Sequence, residues 1–260
     1  MAKNSVGQTF GVALLLCVVC SIMVSGAAVV LKPTQSANKL LDKKQIILTA
    51  AGLADEAGTV DELFERIETR IVDLDTGEYT DQFDVEDYDF IAAAKDAQMG
   101  IDIPRAQDRA GIKRRARNIP VYLIQKRGQV DKVILPIYGK GLWSTLYGFV
   151  ALDRDDLNTI RSLLYYQHGE TPGLGGEVDN PSWKALWNGK QAFGADGSVQ
   201  IQVMRGAVDL AATGAQHKVD GLSGATITSR GVHDMLHYWL GEGGYGHYLD
   251  RLRATKQGEV

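Results

Sequence analysis

The sequence predicts an α+β domain with a largely antiparallel sheet and flanking helices, preceded by one N-terminal transmembrane helix. Three observations favour this fold class. Residues 10–31 form an uncharged apolar run, β-rich segments separated by glycine turns fill the middle of the chain, and helical patterns lie towards both ends. Strands and helices that are segregated along a chain in this way are typical of α+β folds.

The N-terminal apolar run is long enough to cross a membrane. As a helix, residues 10–31 would measure about 33 Å, close to the roughly 30 Å hydrocarbon core. A cleaved signal peptide is the alternative, with Ser25 and Ala27 as a small-residue cleavage site. The run continues past those residues, further than is usual for a signal peptide. We therefore expect an uncleaved anchor over residues 1–33, followed by a second region over residues 34–260.

Charge and cysteine content restrict the possible function classes. The net charge of −4 gives no indication of a nucleic-acid partner, and the acidic stretch 81–89 and the basic stretch 105–120 are expected to form solvated surface. Cys17 and Cys20 both lie in the apolar run. The rest of the chain therefore offers no disulfide framework, no cysteine metal site and no cysteine nucleophile.

Helical and strand patterns alternate in the first half of the second region. Residues 34–68 show near-helical apolar spacing and a Thr-x-x-Glu capping box at Thr59, which predicts a helical stalk. A short strand follows over Ile71–Thr80. Residues 121–139 form the clearest hairpin, with two β-rich arms around Arg127-Gly128.

The second half ends in an amphipathic helix. Further strands are predicted over residues 146–152, 160–168 and 199–206, with a short helix over 181–189 that has proline in its first turn and glycine after its end. The last helix begins near Ser229, and its apolar stripe consists of Val232, Leu236, Trp239 and Leu240.

The stretch 220-DGLSGATITSR-230 combines hydroxyl residues with glycines just before this last helix. A helix N-terminus has unpaired N–H groups and a positive dipole end, so it favours an anion. An ordinary helix cap, made by Ser223, Thr228 or Ser229, is the alternative.

Two glycine-rich stretches are further candidates for binding. In residues 138–152, glycines interrupt a strand pattern around Trp143, which is either a core side chain or the cover of a planar ring. In residues 168–178, Glu170 and Thr171 precede a Pro-Gly turn, which is otherwise a structural turn. No nucleophile–histidine pattern and no histidine spacing typical of a metal site is present, so we expect neither a catalytic residue nor a metal.

Together these segments resemble a known family. The Asp-x-x-Ser-Gly-Ala-Thr pattern at 220–226 resembles the flavinylation motif of covalent FMN-binding domains, and the pattern His-x-Glu-Thr-Pro-Gly-Leu-Gly at 168–175 belongs to the same family. The pattern Gly-Lys-Gly-Leu-Trp-Ser-x-x-Tyr-Gly at 139–148 is similar to the C subunit of the sodium-translocating NADH:quinone oxidoreductase. The G subunit of the Rnf complex shares the first two motifs and is the alternative within the class.

The resemblance implies a covalent FMN and a set of residues around it. The last threonine of the motif, here Thr226, would carry FMN through a phosphoester made by a flavin transferase that splits FAD. The loops would offer backbone N–H groups to the flavin. The cofactor-binding residues that the resemblance implies are Thr226, Ser223, Gly224, Ala225, Thr228, Trp143, Leu142, Thr171, Gly173, Leu174 and Glu170.

The resemblance also implies a role and a place in the cell. The chain would relay electrons from an iron–sulfur centre in the membrane subunits to a second covalent FMN on the B subunit, with the B, D and E subunits as its partners. It would not be the subunit that oxidises NADH. Its FMN-binding region would be periplasmic, on the bacterial inner membrane, although four lysines after the apolar run favour the cytoplasm. A non-redox, membrane-anchored binding protein, with residues 220–226 as a simple helix cap, is the alternative from a different class.

Overall fold

The structure is a computed structural model, and it describes residues 6–126 and 128–257. The α-helices of these residues are Val6–Ala51 (α1), Val60–Phe64 (α2), Phe90–Lys95 (α3), Pro181–Ala185 (α4), Thr226–Leu240 (α5) and Gly246–Gln257 (α6). The strands are Ile67–Asp73 (β1), Glu78–Thr80 (β2), Gly100–Asp102 (β3), Arg114–Ala116 (β4), Asn118–Lys126 (β5), Gln129–Lys140 (β6), Thr145–Asp153 (β7), Thr159–Gln167 (β8), Lys190–Gln191 (β9), Gln202–Val203 (β10) and Lys218–Val219 (β11).

Seven of these strands form one sheet in the order β2-β1-β5-β6-β7-β8-β9. Every neighbouring pair in it is antiparallel. Two small two-stranded sheets are separate from it, an antiparallel one of β3 and β4 and a parallel one of β10 and β11. The α+β class with a largely antiparallel sheet is therefore confirmed.

The central strands are buried on both faces of the sheet. Alternate residues of β6 belong to different cores: Val133, Leu135 and Ile137 lie in the larger one and Ile134 in the smaller one. Side chains of α5 and α6 fill the larger core, while the end of α1 and Leu63 of α2 fill the smaller one. Because consecutive strand residues point to opposite faces, this alternation places helices on both sides of the sheet.

Helix α1 is the helix that the sequence predicts as a membrane anchor. It is the one helix within the described residues that is long and apolar enough to cross a membrane. The contacts between α-carbons divide the chain into two units, Met1–Lys43 and Lys44–Val260. Each core described above lies in the second unit, which also contains the last turns of α1.

The predicted helical stalk over residues 34–68 is correct only as far as Ala51. Gly52 adopts φ +77°, and the N–H of Leu53 donates to the carbonyl oxygen of Leu48 at 2.9 Å. This left-handed glycine cap ends the helix. The capping box at Thr59 then starts the separate helix α2, and the chain is a strand from Ile67 onwards.

Four further boundaries differ from those predicted. The helix expected over residues 181–189 ends at Ala185. The strand expected over Ile71–Thr80 is two strands, because the chain turns at Gly77 with φ +71°. Of residues 199–206 only Gln202–Val203 is a strand, since its only ladder partner among the described residues is the short β11. Helix α5 begins at Thr226 and not near Ser229. The predicted hairpin over 121–139 is confirmed by β5 and β6, although Arg127 lies outside the described residues.

Close contact between α5 and the end of β6 sets the position of the helix. A Cβ atom on Gly231 would lie 2.3 Å from the carbonyl oxygen of Lys140. Further along the helix, the indole N–H of Trp239 donates to the carbonyl oxygen of Tyr138 at 2.7 Å. The absent side chain at Gly231 therefore lets the helix pack directly against the backbone of β6.

We expect Gly231→Ala to destabilise the second unit. Alanine is a better helix former by about 1 kcal/mol, but here the methyl group would press on backbone, and overpacking of this kind costs about 1–3 kcal/mol or more. Thermal unfolding of the full chain in detergent, followed by circular dichroism, should show a lower Tm. Gly11→Ala is the matched control, because nothing lies within 4 Å of its added Cβ. Equal melting of the two variants would contradict the proposed close contact.

Candidate functional site

The turn between β6 and β7 presents three successive backbone N–H groups to one carboxylate. The N–H groups of Trp143 and Ser144 both donate to Oε1 of Glu170 at 3.0 Å, and that of Leu142 donates to Oε2 at 3.2 Å. The turn itself is closed by the N–H of Gly141, which donates to the carbonyl oxygen of Ser144 at 2.8 Å. In this loop, three of the backbone N–H groups that the resemblance offers to a flavin are bonded to Glu170. Contact between the flavin and backbone N–H groups of the loops stays a prediction.

Glu170 also reaches the helix that follows the third motif. The hydroxyl of Thr228 donates to Oε2 of Glu170 at 2.6 Å. Burial raises the pKa of this carboxyl, but the hydrogen bonds from Thr228 and the three amides outweigh burial and hold the pKa below its usual range. Glu170 is therefore an ionised, buried acceptor that connects the segments 139–148, 168–175 and 220–230.

Two glycines leave the space that this carboxylate occupies. A Cβ on Gly141 would lie 2.6 Å from Oε1 of Glu170, and a Cβ on Gly175 would lie 2.7 Å from Oε2. Neither contact is tolerated between non-bonded atoms. The glycines of both motifs are therefore needed to pack around Glu170, in addition to any role towards a ligand.

Two contacts hold the start of the segment 168–175. The ring of His168 contacts Asp179 at 2.7 Å, and the N–H of Gly169 donates to the hydroxyl of Ser144 at 2.7 Å. Beyond these contacts, Thr171, Gly173 and Leu174 are exposed. The implied ligand-binding residues of this segment therefore form an exposed turn on a fixed base.

The four hydroxyl residues of the third motif have different environments. Thr228 and Ser229 are buried, and Ser229 Oγ accepts a hydrogen bond from the N–H of Leu222 at 2.9 Å. Ser223 and Thr226 are exposed. Only the latter two are therefore open to a ligand among these four.

Thr226 is the first residue of α5, and the start of the helix has no side-chain cap. Ala225 is the N-cap residue, and no cap hydrogen bond is made there by any side chain in the described part of the chain. Gly224 precedes it with φ +70°, and a Cβ there would lie 3.0 Å from Leu174 Cδ2. The N–H groups of the first turn thus remain available to an anion. The alternative that Ser223, Thr228 or Ser229 caps the helix is excluded.

A cleft of about 420 Å³ opens beside Thr226. It lies between the residues around β10 and the start of α5. Its lining residues are Arg109, Gln202, Val203, Met204, Arg205, Gly206, Gly221, Leu222, Ser223, Gly224, Thr226, Ser229, Arg230 and His233. Burial and the neighbouring His237 hold the pKa of His233 below its usual range, although Asp234 opposes them.

The residues at this place fit a phosphorylated aromatic ligand such as FMN. The exposed hydroxyl of Thr226 and the uncapped helix start suit the phosphate. Three exposed apolar side chains suit the ring: Trp143 is 68% exposed, Leu174 45% and Leu142 43%. Single exposed apolar residues need no explanation, but these three lie in the segments that Glu170 connects.

The structure divides the residues expected from the sequence into two groups. One group lies at the surface of the site and consists of Thr226, Ser223 and the exposed turn residues. The other group, Thr228 and Glu170, is buried, and the hydrogen bond between them connects the segments of the site. Sequence reasoning missed Arg230, although it follows Thr226 by one helical turn and that spacing was readable. It also missed Arg109, Arg205 and His233, which come to the cleft only through the fold.

Comparisons with known proteins agree with this geometry. The model of the FMN-binding domain family matches residues 141–241, which include all three motifs except the first residues of the earliest one. The C subunit of the Na(+)-translocating NADH-quinone reductase from Pseudomonas aeruginosa is 51% identical over 96% of this chain and 97% of its own length. The corresponding protein of Yersinia pestis is 47% identical over 98% of this chain and 97% of its own.

Solved structures give the same answer. The crystal structure of Shewanella oneidensis NqrC is 35% identical, with a TM-score of 0.76 over 84% of this chain and 99% of that one. The C subunit from Parabacteroides distasonis is 30% identical, with a TM-score of 0.63 over 84% of this chain and 96% of its own. The chain belongs to the family formed by the C subunit of the Na(+)-translocating NADH-quinone reductase.

Proposed function

We propose that the chain is the membrane-anchored flavoprotein C subunit of a sodium-pumping NADH:quinone reductase and relays electrons through FMN bound covalently to Thr226. One observation carries the choice of residue. Thr226 offers an exposed hydroxyl at the uncapped start of α5, whereas the hydroxyls of Thr228 and Ser229 are buried and hydrogen-bonded. Membership of the family supports FMN as the cofactor.

The attachment is a phosphoryl transfer to the threonine. A bond forms between Thr226 Oγ1 and the flavin-side phosphorus of FAD, the pyrophosphate bond breaks, AMP leaves, and the hydroxyl proton is released. A separate flavin transferase would catalyse the step. The product is a phosphodiester with one negative charge, and the dipole at the start of α5 stabilises that charge by about 0.3–1 kcal/mol.

The residues of the chain position the cofactor, and none is required as an acid or base. FMN supplies the redox chemistry when it is bound. Leu142, Trp143 and Leu174 offer apolar surface for its ring, and Glu170 holds their segments in place. Transfer of an electron between subunits needs position and electrostatics only, which agrees with the absence of a nucleophile–histidine pattern in the sequence.

We further propose the partners, domain limits and orientation that the family resemblance implies. The B, D and E subunits would contact the chain, with electrons arriving from an iron–sulfur centre in the membrane and leaving to an FMN on the B subunit. Residues 1–33 would be the anchor in the bacterial inner membrane. Residues 34–260 would form the periplasmic FMN-binding region.

Thr226→Ala is expected to abolish covalent flavin. The full chain and the transferase are coexpressed, separated on a denaturing gel and inspected for fluorescence under ultraviolet light, which detects only attached flavin. Ser223→Ala is the matched control, because Ser223 is the other exposed hydroxyl of the motif, and it should keep the signal. Fluorescence that persists in Thr226→Ala would refute the attachment site, and a dark parent band would refute the covalent link.

We expect Glu170→Gln to weaken the contacts between the three segments and to lower the free energy of unfolding. The amide presents an N–H where the carboxylate accepted hydrogen bonds, and loss of such charged, buried bonds costs about 1.5–3 kcal/mol. We expect a lower Tm by circular dichroism and weaker covalent flavin incorporation. Glu177→Gln is the control, since its carboxylate accepts from Asn180 and an amide oxygen can do the same. Parent-like stability of Glu170→Gln would contradict the connecting role.

The contribution of Glu170 to the free energy of unfolding should decrease at acidic pH and stay constant at neutral pH. Its pKa in the folded chain is below the ordinary value of 4.5, so its contribution is complete above that value. It is lost as the pH falls through the lower folded-state pKa. The difference in unfolding free energy between parent and Glu170→Gln, measured by urea denaturation, should therefore be constant at neutral pH and shrink only below about 4.5.

A fusion after Val260 tests the orientation. Alkaline phosphatase becomes active only outside the cytoplasm, so the periplasmic proposal predicts high activity. Green fluorescent protein at the same point should stay dark when it is exported through the general secretion route. Bright fluorescence with inactive phosphatase would instead favour the orientation that the lysines after the apolar run indicate.

A further inference from the structure

The cleft beside Thr226 carries positive charge that no carboxylate in the cleft balances. The described residues that line the cleft include no aspartate or glutamate. They include three arginines, Arg109, Arg205 and Arg230. Arg205 and Arg230 are exposed, and neither forms an ion pair within residues 6–126 and 128–257. A cleft lined by one sign of charge concentrates ligands of the opposite sign.

The third arginine of the cleft is already neutralised. Arg109 Nη2 lies 3.2 Å from a carboxylate oxygen of the buried Asp234. Its charge is therefore shared with a partner inside the fold. The uncompensated charge of the cleft belongs to Arg205 and Arg230.

These two arginines are held on separate elements that meet at Thr226. Arg230 follows Thr226 by four residues on α5, which puts the two side chains on one face of the helix. Arg205 follows β10, and the backbone on both sides of it pairs with the segment before α5. The N–H of Gly221 donates to the carbonyl oxygen of Gly206 at 3.0 Å, and that of Met204 donates to Val219 at 2.8 Å.

The cleft is separate from the exposed apolar side chains of the turn segments. Besides the three arginines, its lining includes His233. None of the exposed apolar residues Leu142, Trp143 and Leu174 lines the cleft.

We propose that this cleft is a phosphate-binding subsite, in which Arg205 and Arg230 bind a phosphate of the flavin nucleotide that is esterified to Thr226. The inference rests on the proposed function. An arginine guanidinium presents a planar fork of N–H donors that matches phosphate oxygens. The ring and the phosphate then have separate surfaces, because the exposed apolar residues Leu142, Trp143 and Leu174 do not line the cleft.

Two sources of phosphate have this same chemistry. One is the phosphoester of FMN, which stays on Thr226 after the transfer. The other is the second phosphate of FAD, which leaves with AMP. Two arginines match the two charges of the FAD pyrophosphate, while the finished phosphodiester has one.

The test compares Arg205→Gln/Arg230→Gln with a control that loses the same charge elsewhere. Arg105→Gln/Arg251→Gln serves as that control, because both residues are exposed and neither lines the cleft. Full-length chains purified without the transferase are mixed with purified transferase, FAD and Mg²⁺, and the initial rate of covalent flavin incorporation is measured. Circular dichroism establishes that each variant is folded.

We expect the cleft variant to react at least roughly tenfold more slowly than the parent, as for loss of hydrogen bonds to a charged group, and the control to match the parent. The ³¹P resonance of the finished phosphodiester then identifies the source. A shifted resonance in the cleft variant assigns the subsite to the FMN phosphate, and an unshifted resonance with a slow rate assigns it to the departing phosphate.

Failure of this inference is distinct from failure of the proposed function. If the parent takes up flavin on Thr226, but the cleft variant does so at the parent's rate and with the parent's ³¹P resonance, the subsite does not exist. If the cleft variant and the control slow the reaction equally, the effect is one of net charge and the subsite is again refuted. A parent that takes up no flavin would refute the covalent attachment itself.

Discussion

The site depends on one buried carboxylate. Glu170 accepts three backbone N–H groups from the turn after β6 and the hydroxyl of Thr228 from α5, so a single side chain connects three segments that are far apart in sequence. A buried charge is stable only when its hydrogen bonds are made, and a missing partner would leave it strongly destabilising. The interaction therefore fixes the geometry of all three segments at once, and the glycines at positions 141 and 175 are the steric condition for it.

The rest of the fold brings these segments to Glu170. The hairpin of β6 and β7 carries the first turn, β8 leads into the second, and α5 packs on β6 through Gly231 and Trp239. As a result, Thr226 is exposed at the start of α5, where it lines the cationic cleft. A protein that holds a tethered cofactor needs regular secondary structure to support the site and an accessible, charged surface at the point of attachment.

Many features of the fold and of the site could be predicted from the sequence. The other features depend on tertiary contacts, which leave no local pattern in a sequence. Strand alternation and glycine turns predicted the central hairpin, and the three motifs predicted the family, while attachment of the cofactor at Thr226 stays a prediction. Periodicity did not show that Gly52 ends α1, because a glycine cap interrupts a helix without changing the apolar spacing on either side. The sequence did not show that the Glu170 carboxylate is bonded to three backbone amides and to Thr228, since the partners of a carboxylate are decided by tertiary contacts. Arg205 and Arg109 reach the cleft from distant positions, and no local pattern marks them.

The central claim is that Thr226 is the attachment point, because the fold exposes only Ser223 and Thr226 among the four hydroxyl residues and Thr226 is the one at the start of α5. Tandem mass spectrometry of the flavinylated chain tests this directly, since trypsin cleavage after Lys218 and Arg230 releases the whole motif as one peptide. Fragment ions should place an FMN phosphoester on Thr226 and leave Ser223, Thr228 and Ser229 unmodified. An FMN on Ser223, or on either of the two buried hydroxyls, would contradict it.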